Sequence, residues 1–336
     1  AGVDARLLFL YGEPGRISNE FGEGVYGLGL TSSKQVIKGV VGLVAKIRSI
    51  APEIIHSHDG IMWPRLAFLL ARAPVVTHGH LPPEVSGGIK QWLGWPLVKT
   101  TTRRVIGISE HTADEWAAAG FPRPRIDVIA NGVDFNRFVP RAPEEKRAAR
   151  QTLGLPIDKL MLVWVGRLHR SMKGTDRVEK VAAMLPTSAT LVIVGNGPEL
   201  EGMNERLAGL IEDDRVVMVG SADLPELYYE AADAYLFTSH VEPFGLVLLE
   251  AVACGLPILA FPVEQGGGAV KLLEEFEADM LNDDLTAEEL QRHLTGLADL
   301  TDRRVRLREG AKDYSWTAIE RRVADMYEKT LKEASR

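Results

Sequence analysis

The stretch Ala234–Phe261, AYLFTSHVEPFGLVLLEAVACGLPILAF, decides the fold. Ala234–Thr238 is a short apolar run, as strands covered on both faces read. A loop carrying Glu242 follows, and from Gly245 onward the pattern turns helical over Leu246–Ala253. A second apolar run, Pro257–Phe261, closes the unit. Strand, helix and strand in this order predict two parallel strands joined by a crossover. The same alternation runs outward in both directions. Strands are expected at Arg6–Tyr11, Ile54–His58, Val75–His78, Val105–Ile108 and Ile126–Ala130, then at Leu160–Val165, Thr190–Val194 and Val216–Val219. Helices are expected between them, for example at Val36–Ile50 and Trp63–Ala71. This pattern predicts an α/β protein with doubly wound parallel sheets, whose ligands bind beyond the carboxyl ends of the strands.

A chain of 336 residues amounts to two domains at about 150 residues each. The polar, proline-containing run PRAPEEKRAAR, ending at Arg150, reads as the linker, so the halves are expected to meet near residue 145. A single cysteine, Cys254, excludes a disulfide framework or a Cys-rich zinc module and suits a reducing compartment. No apolar stretch reaches the roughly 18 uncharged residues of a membrane span. A cytoplasmic protein is expected. Net charge is −7, unevenly spread: residues 1–150 hold 19 Lys and Arg against 14 Asp and Glu, and the remainder holds 20 against 32. A basic first half suits an anionic partner, such as a membrane surface or a phosphorylated acceptor. Its cations are dispersed and lack aromatic interleaving, which argues against nucleic acid.

Two segments carry chemistry. In Thr238–Pro257 the helix beginning around Gly245 would leave the amides of Phe244, Gly245 and Leu246 free to meet phosphate. Glu250 lies one turn beyond Leu246 on the same face and suits a pair of ribose hydroxyls. In Leu162–Gly174, LVWVGRLHRSMKG, a buried strand runs into Gly166-Arg167, with Lys173 six residues further on. A planar guanidinium and a compact ammonium together make a clamp for a diphosphate.

With these motifs in hand, the sequence resembles family 4 of the retaining glycosyltransferases. PEIIHSHD, PVVTHGH, VIGISEHT, VIANGVDFNRFVP, VGRLHRSMKG, LVIVGNGPE, EPFGLVLLEAVACGLP and the closing YSWTAIERRVADMYEKTL follow the family's order across nearly the whole chain. Glu242 and Glu250 form its E-x7-E signature. The resemblance implies a GT-B fold, two Rossmann-like domains facing a central cleft. It assigns an acceptor-side domain to 1–145, a donor domain to 146–316 and a closing helix, 317–336, that crosses back. It implies metal-independent transfer of a sugar from a nucleotide-diphosphate donor to an acceptor hydroxyl, with retention and no cofactor. Arg167 and Lys173 would hold the donor diphosphate. Glu242 would hold sugar hydroxyls, with the amides of Phe244, Gly245, Leu246 and Val247 near sugar and phosphate. Glu250 would bind the ribose, and Met218–Ala222 would meet the base. His80 aligns with the family's active-site histidine, although His78 shares its strand face. The family's opening strand and glycine-rich loop are not seen before Ala1, and PVEQGGGAVKLLEE departs from its usual two-glycine turn.

Other readings remain open on the sequence: a sugar-nucleotide hydrolase or epimerase on the same fold, or a donor-binding protein without turnover. Two further motifs look accidental. HSHDG, from His56 to Gly60, resembles a metal-ligand run but lacks a completing histidine along the chain. Gly22–Gly27 fits G-x-G-x-x-G but begins far from its strand and has no acidic residue about 20 positions beyond.

Overall fold

The computed structural model describes residues 4–11, 24–30, 36–58, 62–71, 73–81, 89–297 and 301–335. The chain divides into two units: Ala1–Ile129 with Glu320–Arg336, and Ala130–Ile319.

In the first unit, β1 (Leu7–Tyr11) pairs in parallel with β2 (Val25–Leu30). A four-stranded parallel sheet follows in sequential order, from β3 (Ile55–Ser57) and β4 (Val75–Gly79) to β5 (Thr102–Gly107) and β6 (Ile126–Val128). The crossover helices include Val36–Ile50, Met62–Ala71 and Glu110–Ala118. Ser109 caps the last of these by accepting from the Thr112 amide. Leu43, Ile47, Phe68 and Val75 form one core, and Val98, Val105, Trp116, Phe121 and Ile126 another. The helix Trp316–Ala334 ends in this unit. Its Glu333 receives Arg104 Nη1 at 2.9 Å, while Nε and Nη2 of the same buried guanidinium hold Asp127 at 2.6 and 3.0 Å.

The second unit carries β7 (Leu160–Val165), β8 (Ala189–Val194), β9 (Val216–Gly220), β10 (Ala234–Phe237), β11 (Ile258–Ala260) and β12 (Asp279–Met280). They form one parallel sheet in the order β12-β11-β10-β7-β8-β9. From β7 the chain winds outward through β8 and β9, then returns to place β10 on the other side of β7. The crevice at the carboxyl ends of β7 and β10 is therefore the topological switch point. The stretch that opened the sequence reading is strand β10, the helix Leu246–Ala253 and strand β11, as expected. Its helix is buried except on one side, with Leu248, Leu249, Ala251, Val252 and Ala253 inside.

The expected linker is a correction. Pro143–Leu153 is a helix of the second unit, with Pro143 at its first position and Gly154 ending it in the left-handed region, and the division falls at Ile129/Ala130 instead of near 145. Its charges misled because two of them are internal. Lys146 donates to the Ala232 carbonyl, and Arg150 donates to the Ala231 carbonyl at 2.9 Å and to Asp233 at 2.7 Å. Long basic side chains bury their stems while their heads satisfy carbonyls, so a charged sequence packs. Strands β2 and β12 were not anticipated. Gly22 and Glu23 lie outside the described residues, and the remainder of that motif, Gly24–Gly27, enters strand β2 and not a helix.

Candidate active site

Three loops meet at the switch point of the second unit. After β7, Gly166 and Arg167 lead to the short helix Arg170–Lys173, which ends on Gly174 in the left-handed conformation, φ 66°. A Cβ at Gly174 would run into the Thr238 carbonyl at the end of β10. Glycine thus lets the Lys173 turn lie directly on the neighbouring strand. Thr238 secures it from the other side. Its hydroxyl donates to the Lys173 carbonyl at 2.7 Å and accepts from the Trp164 indole at 2.8 Å. The third loop, after β11, pairs Val241 with Gln265 and accepts the Glu242 amide on the Gln265 carbonyl at 2.8 Å. Gly266, at φ 134°, follows at once, and its missing Cβ makes room for the Glu242 carbonyl.

This framework brings Lys173 and Glu242 together, with Nζ 2.5 Å from Oε2. The Glu242 side chain is buried and Lys173 partly so. Arg167 is exposed and makes no ion pair or side-chain hydrogen bond among the described residues. Phe244 and Gly245 are buried, whereas Leu246 is 45% exposed at the start of its helix. The amides of Phe244, Gly245, Leu246 and Val247 donate to no described residue, as the first amides of a helix have no intrahelical partner. Glu250 sits one turn deeper and accepts the Tyr229 hydroxyl at 2.7 Å. Burial raises its pKa, and that hydrogen bond and nearby Arg137 oppose the rise only in part. Burial also pushes the Tyr229 phenol well up, so it remains a donor.

The sequence reading missed two groups here. Tyr229 lies 21 residues before Glu250, with no local signal linking them. His240 stands between Glu264 (Nδ1 to Oε1, 2.6 Å) and Asp176 (Nε2 to Oδ1, 3.2 Å), and Arg177 reaches Asp283 at 2.9 Å and Glu264 at 3.5 Å. His240 was visible two residues before Glu242, but its carboxylate partners come from other loops.

His80 belongs to the first unit, one residue past β4. It is exposed, and its Nε2 lies 3.1 Å from His58 Nδ1. Burial, followed by repulsion from His58, lowers its pKa. Asp59 lies outside the described residues.

The second unit is thus an α/β domain whose parallel sheet gathers cationic and carboxylate groups at its switch point, beside an open helix start. The sequence profile of glycosyl transferases group 1 matches residues 145–314, half of the chain, and that of glycosyltransferase family 4 matches residues 7–137. The chain belongs to glycosyltransferase family 4. D-inositol 3-phosphate glycosyltransferase of Mycobacterium tuberculosis is 32% identical over 236 residues, covering 68% of this chain and 45% of that protein. The chain thus matches less than half the length of this curated relative. Among solved structures, HepE of Anabaena in complex with UDP superposes with a TM-score of 0.76 at 20% identity, over 97% of this chain and all of that one. A glycosyltransferase of Rickettsia africae gives 0.78 at 16% identity, over 97% and 90%. The shared fold is GT-B.

Proposed function

We propose that this protein transfers a sugar from a nucleotide-diphosphate donor to an acceptor hydroxyl, with retention at the anomeric carbon and without a metal in the transfer. The observation that carries the reading is the Lys173–Glu242 contact beside an open helix start and the exposed Arg167. In this reading Arg167 and Lys173 hold the diphosphate. The amides of Phe244, Gly245, Leu246 and Val247 add fixed dipoles where negative charge grows as the diphosphate departs, which is preorganised electrostatic stabilisation. Glu242 holds sugar hydroxyls and Glu250 the ribose. His80, neutral at pH 7, presents a hydrogen-bonding edge to the donor sugar.

A uridine donor is favoured by the HepE structures, whose ligands are UDP and UDP-glucose. An acceptor bearing a phosphate is favoured by the inositol-phosphate relative and by the basic first half of the chain. A thermal-shift comparison of UDP, GDP, ADP and dTDP tests the donor, because a ligand that binds only the folded state raises its melting temperature. UDP should give the largest shift. No shift with any of the four would remove the nucleotide-sugar reading altogether. Release of UDP from UDP-sugars should then require an acceptor; equal release without one would favour the hydrolase reading.

A further inference from the structure

A second cluster of chemistry-bearing side chains lies in the first unit. The sequence carries His-x-His twice: His56 and His58 at the end of β3, His78 and His80 at the end of β4. These strands are parallel neighbours, with His56 opposite Val76 and Ser57 opposite Thr77. Residues two apart share a face, so all four imidazoles stand on one side of the sheet. They form a two-by-two array. Ring centroids are 4.5 Å apart for His56–His58 and 4.3 Å for His78–His80 along the strands, and 5.3 Å for His56–His78 and 5.4 Å for His58–His80 across them.

A hydrogen-bonded array of neutral imidazoles accounts for this only in part. Each ring has one donor and one acceptor. His56 Nδ1 meets the Tyr327 hydroxyl, and its Nε2 lies 3.2 Å from His78 Nδ1. His78 Nε2 is then buried with no hydrogen-bond partner among the described residues. A buried polar nitrogen without a partner is costly, so hydrogen bonding within the array leaves the His78 ring incompletely satisfied. One ring nitrogen each of His56, His58 and His78 fall within 4.8 Å of one another.

We propose that His56, His58 and His78 form a binding site for one divalent transition-metal ion of the zinc class. The 3.2 Å separation of the His56 and His78 nitrogens is close to the edge of about 3.3 Å in a tetrahedron with Zn–N bonds of about 2.0–2.1 Å. Tyr327 completes the pattern of such sites. A metal-bound histidine hands its other ring N–H to a neighbouring oxygen, which fixes the tautomer and aims the lone pair. Here His56 would give Nδ1–H to Tyr327 and Nε2 to the ion. Three imidazoles with no carboxylate among them favour zinc, copper or nickel over magnesium or calcium. The sugar-transfer reading rests on residues of the second unit and on His80, so failure of this ion site would leave that reading standing.

Calorimetric titration of the full chain with zinc chloride, paired with cobalt(II) absorption, tests the site. The expected result is one ion per chain and an intense visible cobalt band typical of four-coordination. His58 is exposed, so His58→Gln keeps the fold, which circular dichroism verifies, and should weaken zinc by about a hundredfold. Tyr327→Phe should weaken it by about tenfold. His240→Ala, in the other unit, should bind zinc as the unaltered chain does. No zinc uptake by the folded chain would overturn the proposal. So would equal affinity in His58→Gln, or loss in His240→Ala alone.

Discussion

The ammonium of Lys173 rests 2.5 Å from a carboxylate oxygen of Glu242, although 69 residues separate them. One follows β7 and the other β10, strands that become neighbours only because the chain reverses its winding direction between β9 and β10. In the unliganded protein each charge neutralises the other. On the proposed function an incoming donor exchanges that contact for two, diphosphate on Lys173 and sugar hydroxyls on Glu242.

Lys173→Ala and Glu242→Ala should therefore each lower transfer by roughly 10²–10³-fold in kcat, the usual loss when a group facing developing charge is removed. Lys173→Ala should also lower the melting temperature, because the buried Glu242 carboxylate loses its counter-ion. Radiolabelled sugar transfer and a thermal melt measure the two effects. Full transfer in both variants would sink the assignment.

Glu250→Leu should weaken UDP affinity more than it slows the bound complex, which titration calorimetry and single-turnover rates separate.

The buried Glu250 carboxyl has a raised pKa, which sets the sign of a pH effect. Between the ordinary value of 4.5 and the raised one, the folded chain binds more protons than the unfolded chain. The group's contribution to unliganded stability is thus present below 4.5 and lost as pH rises through the raised value. Ribose hydroxyls favour the ionised form, so UDP stabilisation should grow over that same rise. Melting temperatures with and without UDP at a series of pH values check this, and Glu250→Gln should flatten the difference.

Gly266→Ala forces a side chain into a backbone at φ 134° and against the Glu242 carbonyl. It should cost about 1–3 kcal/mol in denaturant unfolding. UDP-sugar affinity should fall as Glu242 shifts, while a substitution at Gly209, where a Cβ meets nothing within 4 Å, should leave it unchanged.

The basic balance of residues 1–150 should give salt-sensitive sedimentation with anionic vesicles, strongest at low ionic strength. Absence of binding at low salt would end the membrane proposal. Among the described residues no helix is long and apolar enough to cross a membrane.

Much of the second unit could be read from its sequence because its strands are buried on both faces and appear as unbroken apolar runs, with Leu160–Val165 matched residue for residue. The helix Leu246–Ala253 was equally plain. Val25–Leu30 was not, since VYGLGL interleaves two glycines that weaken any strand signal. Pro143–Leu153 looked like a linker because its buried residues, Lys146 and Arg150, are charged. The histidine array shows a different limit. Both His-x-His pairs were visible, but the sequence does not state that β3 and β4 lie side by side. HSHDG therefore seemed to lack a ligand that the neighbouring strand supplies.

The first unit is discontinuous in sequence: residues 320–336 belong with 1–129, and they bring Tyr327 to His56 and Glu333 to Arg104. On the ribosome, chains usually fold their leading domain first. Here the discontinuous connectivity favours the opposite order. The uninterrupted span 130–319 can finish while the first unit still waits for residues 320–336. Until residues 320–336 have been made, the Arg104 guanidinium lacks one of its two carboxylates and the histidine row lacks its tyrosine. Arrest of translation before residue 320 should thus release a complete second unit attached to an unfinished first one.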